Sequence, residues 1–278
     1  MSLILYHYSN SVCAEKARLA LDEKHAEWEG RHVHLFKGEQ FDPEYMKLNP
    51  KAVVPTLVHD GQVLVESTLI CEYIDDIFPD PPLKPADPMA RAQMRIFPKM
   101  VDEGLHFGVG VFSFVAMFAD RLRALPADER AARFAAMPDL DRRERQSTIV
   151  EKGTEAPHVL KAISIWENGL AKIEKTLGHG GPWIMGDQYT LADLCLTPYM
   201  SRMEYIRYLD FFTEKRPKTR AWWERVKARP SFHSANQAWF EQEELDEMAE
   251  GGLRTKDVIA KKRKHFLETD LVAAPAAA

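Results

Sequence analysis

Three cysteines in 278 residues are too few and too scattered for a disulfide scaffold or a zinc site. Cys13, Cys71 and Cys195 form no CxxC pair, and their odd number suits a reducing compartment. No run of about 18 consecutive apolar residues occurs. The longest candidate, residues 107–119, is too short to span a bilayer, so no membrane association is expected. The start, Met1-Ser2-Leu3-Ile4-Leu5-Tyr6, has neither a basic n-region nor a long apolar stretch, which predicts no secretory leader and a cytoplasmic location. A formal net charge of −5 leaves no global electrostatic case for nucleic-acid binding. The one compact basic run, Lys261-Lys262-Arg263-Lys264, is flanked by Asp257 and Glu268 and reads as a solvated tail. A Gly-rich phosphate loop, an HExxH motif and a Ser-His-Asp arrangement are all missing. The ten histidines are scattered, and His32 and His34 share a strand face without a third ligand, so no metal is expected.

What is present is an ordinary globular composition, 45% apolar and 28% charged, in a chain long enough for two domains. Leu3–Tyr8 reads as a strand, and Val12–Leu21 as a helix with Ala14, Ala17 and Leu21 on one face. Arg31–Leu35 is a weak alternating strand, and Phe41–Leu48 a short helix ended by Asn49-Pro50. Val54–Val58 and Gln62–Val65 form a hairpin around His59-Asp60-Gly61, and Ser67–Phe78 is an amphipathic helix. This order predicts a small mixed sheet with helices on its faces over residues 1–80. The proline-rich stretch 79–85 is a stiff connector to an all-helical domain over residues 86–250, with a helical extension and frayed tail over 251–278. Within the helical part, 159–177 and 220–227 read as helices. Thr190 and Asp193 form an aspartate version of the capping box, which makes Asp193 a folding residue, with Cys195 facing the core.

The most telling pairing is Asn49-Pro50-Lys51-Ala52-Val53-Val54-Pro55-Thr56-Leu57 with Glu66-Ser67. The first places a proline just before an apolar strand; the second puts a carboxylate and a hydroxyl at a helix start. Together they can hold a small peptide by its backbone and its amino end, with Val54 offering N–H and C=O at a strand edge. Ser11 caps the first helix, and its hydroxyl and the neighbouring amides can donate to a sulfur anion, which the helix terminus favours. Stabilising a thiolate is the central task of such a site. Asn10 can reach the same sulfur or orient the loop. Cys13 is the rival. It lies roughly 200° around the helix from Ser11, so both are not expected to face one sulfur. If Cys13 did face the ligand, a mixed disulfide could form. Tyr6 reads as structural.

Taken with Ser11–Leu21, Val54-Pro55, Glu66-Ser67 and Gly186-Asp187-Gln188-Tyr189-Thr190-Leu191-Ala192-Asp193, residues 1 to about 240 resemble the glutathione transferase superfamily. A narrower resemblance runs through Glu66–Tyr73, Pro85–Pro88, Arg91–Arg95 and Val101-Asp102-Glu103. These are similar to bacterial glutathione-dependent β-etherases acting on lignin-derived aryl ethers. The resemblance implies a thioredoxin-like α/β domain followed by an all-α domain. It implies glutathione as cosubstrate, an aromatic second substrate, and a homodimer or a heterodimer with a related subunit. It places Ser11 at the activating serine position and makes Pro55 a cis proline that turns the Val54 backbone toward glutathione. Lys51 is implied on the glycine carboxylate, Glu66 on the γ-glutamyl ammonium, and Ser67 on its carboxylate. Lys37 and Gln40 are weaker candidates. Asp102 and Glu103 occupy positions that can reach a partner's glutathione or simply be solvated. Phe107, Val111, Phe112, Phe114 and Val115 are candidates for the hydrophobic site, with His106 as a polar contact. The implied reaction is attack of the glutathione thiolate on the β-carbon of an α-carbonyl β-aryl ether. A general detoxifying transferase and a non-catalytic glutathione-binding protein are the alternatives.

Overall fold

The computed structural model describes residues 2–273 and divides at the connector into a sheet domain and a helical domain. The sheet has the order β2-β1-β3-β4, built from β1 (Leu3–His7), β2 (Glu29–His32), β3 (Thr56–His59) and β4 (Gln62–Val65). β1 pairs parallel with β2 and antiparallel with β3, and β3 pairs antiparallel with β4. The β3–β4 turn takes positive φ at Asp60 (47°) and Gly61 (82°), the conformation an Asp-Gly turn provides most cheaply. β2 lies two residues earlier than the sequence pattern suggests, because its register is set by pairing with β1 rather than by alternation along an exposed strand. The first helix, α1 (Val12–Glu23), and the third, α3 (Ser67–Ile77), pack on the sheet; the short α2 (Pro43–Leu48) starts at Asp42, whose side chain caps it.

The helical domain is organised by α4, one continuous helix from Pro88 to Arg123. It is longer and more apolar than the sequence reading allowed, enough to cross a membrane by length and composition, but most of its apolar window is buried inside this fold. Two π-helical turns, Val101–Leu105 and Phe114–Phe118, interrupt it. Around it pack α5 (Ala127–Ala135), α6 (Leu140–Lys152), α7 (His158–Leu177) and α8 (Leu191–Tyr205). The chain continues through α9 (Leu209–Thr213), α10 (Pro217–Lys227) and α11 (Pro230–Ala235) to α12 (Gln242–Ala273).

The expected boundary at residue 250 falls inside α12. Gly251 and Gly252 let this helix approach the backbone closely: a Cβ at either would lie 1.9 Å from the carbonyl oxygen of Ala116 or of Ile206. The extension is therefore packed onto the domain over this stretch. The basic run within it is not simply solvated. Arg263 is buried and donates to Glu167 and Glu214, and Lys262 pairs with Glu155. Of the expected frayed tail, residues 274–278 lie outside the described residues. The Thr190–Asp193 box forms as expected, and buried Asp193 also accepts from Ile184 N at 2.9 Å and Trp222 Nε1 at 2.8 Å.

Candidate active site

The two domains enclose a cleft of about 390 Å³. The sheet domain supplies the loop after β1, the N-terminus of α1, the segment 35–41, the turn before β3 and the start of α3; the helical domain supplies α4, α5 with the turn after it, α6 and one arginine of α8. Asn10, Ser11, Lys51, Val54, Pro55, Glu66 and Ser67 all line it.

Ser11 stands in extended conformation (φ −114°, ψ 113°) as the cap of α1, and its Oγ accepts from Ala14 N at 3.2 Å. A hydroxyl carries one donor and two acceptor sites, so this cap leaves the Ser11 proton free to donate. The loop leading to it is clamped by two buried arginines. Arg18 donates to the carbonyls of Tyr8 (3.2 Å) and Ser9 (3.1 Å). Arg202 of α8 donates to the carbonyl of Asn10 (3.2 Å), to Asn10 Oδ1 and to Ser113 Oγ (3.1 Å). Asn10 thus spends its oxygen on Arg202 and its Nδ2 on Glu244 at 3.3 Å. Its observed role is to tie the loop to the helical domain.

The turn before β3 is braced from behind: Asn49 Nδ2 and the Tyr45 hydroxyl both donate to the Val53 carbonyl. The Val54–Pro55 bond is cis. β3 begins only at Thr56, so the Val54 backbone lies outside the sheet ladder, at the cleft. Glu66 sits at φ 72°, ψ 104°, a left-handed conformation that non-glycine residues avoid and that persists where the surroundings enforce it. No side chain caps α3, which leaves its first amides open beside Ser67. Lys51 Nζ pairs with Glu66 Oε1 at 2.5 Å, so these two half-exposed groups neutralise one another across the cleft mouth.

Cys13 lines the same cleft as Ser11, since Ser11 precedes the helix and the regular turn per residue does not apply to a cap. Cys13 Sγ lies 3.5 Å from His106 Nδ1 and 3.7 Å from the Tyr199 hydroxyl, and the latter two are 3.3 Å apart. Burial alone would raise the thiol, but His106, Lys16 and Tyr199 together outweigh it and bring Cys13 down to about 6. The same pairing with the Cys13 thiolate raises His106 against its burial. His106 follows directly on the first π turn of α4, a local irregularity common at functional sites.

Other candidates sort clearly. Tyr6 is outside the cleft, its hydroxyl taken by Arg31. Gln40 lines the cleft and Lys37 does not. Asp102 lines it and pairs with the fully buried Lys16 at 3.0 Å, rather than being merely solvated, while Glu103 pairs with Lys99 on the outer face. Of the proposed aromatic and aliphatic wall only Phe114 faces the cleft. Val111, Phe112 and Val115 are core, and Phe107 packs beneath Arg145 and Lys161. The wall is instead made by Val109, Phe118, Leu122, Met137 and Ile149 with Leu35 and Phe36 opposite. Arg133, Arg142 and Arg145 were not singled out; the i, i+3, i+4, i+7 spacing of Arg142, Arg145, Gln146 and Ile149 could have marked one helix face.

Comparison with known proteins agrees with this geometry. Residues 1–76 match the family described as "Glutathione S-transferase, N-terminal domain", and residues 127–225 match "Glutathione S-transferase, C-terminal domain". The chain is 30% identical to Protein LigF of Sphingobium sp. (strain NBRC 103272 / SYK-6) over 241 residues, 83% of this chain and 91% of that protein. It is also 30% identical to the tetrachloro-p-hydroquinone reductive dehalogenase of Sphingobium chlorophenolicum over 239 residues, 83% of this chain and 94% of that one. The crystal structure of β-etherase LigF from Sphingobium sp. strain SYK-6 superposes with a TM-score of 0.77 at 28% identity, covering 86% of this chain and all of that one. With both of its domains matched, the chain belongs to the glutathione S-transferase family.

Proposed function

We propose that this protein is a glutathione-dependent β-etherase, cleaving the β-aryl ether bond of lignin-derived α-carbonyl aromatics. The observation that carries the reading is one continuous cleft joining Ser11, Val54 and Glu66-Ser67 to an apolar wall that includes Phe36, Phe114, Phe118 and Ile149. The likeness to LigF, itself described as a β-etherase, supports the choice of electrophile.

In this reading glutathione lies along the sheet domain. The Val54 backbone pairs with its cysteinyl unit, next to the cis Pro55. The amides at the start of α3 and the Ser67 hydroxyl take the γ-glutamyl carboxylate, which the helix terminus favours. Glu66 takes the α-ammonium, and Lys51, released from Glu66, takes the glycyl carboxylate. Ser11 donates its free proton to the thiolate. The thiolate then attacks the β-carbon, a C–S bond forms, the C–O bond breaks, and the aryl oxygen leaves with the electron pair and gains a proton to become a phenol. The adjacent carbonyl activates the β-carbon, and holding both reactants together supplies much of the advantage over solution. Leu69, Met89 and Ile96, large apolar residues exposed on α3 and the first turns of α4, support a homodimer, with a heterodimer of related subunits as the alternative. A cytoplasmic location belongs to the same reading.

The test is chromatography of a racemic β-ether incubated with glutathione, following phenol, glutathionyl ketone and both remaining enantiomers. Equal amounts of phenol and adduct from one enantiomer are expected. Turnover of generic halogenated electrophiles alone, with the ether untouched, would replace this reading by a general detoxifying transferase.

The Cys13–His106 contact favours a second reading, to which the reductive dehalogenase relative lends support. A Cys13 thiolate attacking the sulfur of a glutathionyl adduct would form a mixed disulfide. It would release the carbon group as a carbanion that takes up a proton, and a second glutathione would then free Cys13 as glutathione disulfide. Accumulation of glutathione disulfide in step with product would identify this course.

A further inference from the structure

The helical side of the cleft carries an electrostatic feature that thiolate activation does not use. Five cations line the cleft, Lys51, Arg133, Arg142, Arg145 and Arg202, against two acids, Glu66 and Asp102, in a chain whose net charge is −5. Most of these charges already have partners. Lys51 pairs with Glu66, and Asp102 with Lys16. Arg202 holds Asn10 and Ser113, and Arg133 donates to the carbonyls of Leu35 and Phe36, fastening α5 to the sheet domain.

Arg142 and Arg145 differ. Both sit in the first turns of α6, where Asp139 caps the helix by accepting from Arg142 N at 2.9 Å. Neither guanidinium meets a hydrogen-bond acceptor among the described residues, whereas their neighbour Arg143 donates to the carbonyls of Ala135 and Met137. Arg142 Nε, like Arg143 Nε, is buried with no partner among the described residues, but Arg143 has the two carbonyls and Arg142 has none. Arg145 lies 5.0 Å over the ring of Phe107, a contact that satisfies none of its N–H groups. Burial lowers both guanidinium groups below the ordinary arginine range, but arginine stays charged at neutral pH. Two half-buried cations with no protein acceptor among the described residues, one of them lying over Phe107, the residue after His106, are costly to hold in the cleft unless a ligand repays them. A carboxylate matches that fork in both charge and geometry.

We propose that the electrophile accepted by this cleft carries a carboxylate, held by Arg142 and Arg145 from α6 while the reacting carbon faces Ser11. The proposal deepens the aryl-ether reading and rests on it for the identity of the ring system. Glutathione's own carboxylates are assigned to the sheet-domain side, at Lys51 and Ser67, so the arginines of α6 are left for the second substrate.

The probes are an α-carbonyl β-aryl ether bearing one benzoic carboxylate, and its primary amide. Calorimetric binding of each to the glutathione-saturated full chain comes first, because it reads recognition whether or not the ether is cleaved. The acid is expected to bind about tenfold or more tighter than the amide, the ordinary effect of a charge-assisted contact. The acid-to-amide ratio of kcat/KM should follow. In the Arg142→Gln/Arg145→Gln double variant both ratios should collapse toward one, and Arg142→Lys/Arg145→Lys should restore part of the preference. Equal binding of acid and amide by the wild type, or a preference surviving in the glutamine variant, would overturn the proposal. So would a variant that instead loses affinity for glutathione itself, since the arginines would then serve the peptide. An acid that binds preferentially but is never cleaved would uphold the carboxylate site while removing the etherase reading.

Discussion

Replacing Ser11 by alanine removes two separable things, whose sizes follow from ordinary hydrogen-bond and capping energies. Its Oγ accepts from Ala14 N at 3.2 Å, which caps α1, and its proton stays free; in the proposed reading it donates to the glutathione sulfur. Losing a hydrogen bond to an anion costs about 1.5–3 kcal/mol. At about 1.4 kcal/mol per pKa unit, the bound thiol should rise by roughly one to two units. At neutral pH kcat/KM should fall about tenfold to a hundredfold, and raising the pH should recover much of it. Losing the cap should cost a further ~1 kcal/mol of stability, a shift of roughly 2–4 °C in Tm for a chain of this size. Ser11→Asp separates the two effects. Its carboxylate still caps Ala14 N, so Tm should hold, but its charge opposes the thiolate and the thiol pKa should rise further than with alanine. Ser11→Thr keeps a hydroxyl and should retain most of the thiolate. The assay is the ultraviolet absorbance of the bound thiolate across pH, read beside kcat/KM and thermal unfolding. A thiol pKa in Ser11→Ala within about 0.3 unit of the wild type, equivalent to about 0.4 kcal/mol, would refute the argument and leave Ser11 as a cap alone.

Cys13 should be alkylated by iodoacetamide at a rate that rises through pH about 6, with His106→Ala moving the midpoint upward; Cys71 and Cys195 are buried and should stay unmodified. Glu66→Ala should weaken glutathione binding by about 1.5 kcal/mol, roughly tenfold in Kd by calorimetry, and the absence of millimolar or tighter binding by the wild type would remove the basis for an enzyme. Asp193→Ala should cost about 3–5 kcal/mol in denaturant unfolding, since it orphans the buried N–H groups of Ile184, Thr190 and Trp222. Burial raises Asp193 to about 6, so the folded state holds its proton more tightly than the unfolded one. The resulting stability is largest below the unfolded carboxylate value near 4 and is lost as pH rises through about 6, and the alanine variant should lack that slope. Mass measurement in solution at micromolar concentration should find a dimer, and a monomer throughout would overturn that expectation.

The sequence alone determined what depends on neighbours within a few positions. The Ser11 cap and the Thr190–Asp193 box are settled by side chains bonding to backbone two or three residues away, and the Asp-Gly turn of the hairpin by the positive φ its two residues accept. Those signals were enough to order the elements and, with the family resemblance, to name several residues on the sheet-domain side of the cleft. The placement of β2 was less legible because its register answers to β1, and the long α4 because its glycines and Pro98 look like interruptions but are accommodated within one packed helix.

Only the tertiary structure decided which residues from distant segments meet. Asn10 is bound by Arg202, 192 positions away, and Cys13 by His106 and Tyr199, at separations of 93 and 186. No local pattern encodes such pairs. The wall of the cleft followed the same logic: two π turns set which face of α4 looks inward, so Phe114 lines the cleft while Val111 and Phe112 enter the core. The α6 arginines gained their meaning last. In the sequence they belong to a charged, surface-like segment; folded against the cleft, they are half-buried cations without a protein acceptor among the described residues, and burial is a property of the surroundings that a residue's own neighbours in sequence do not specify.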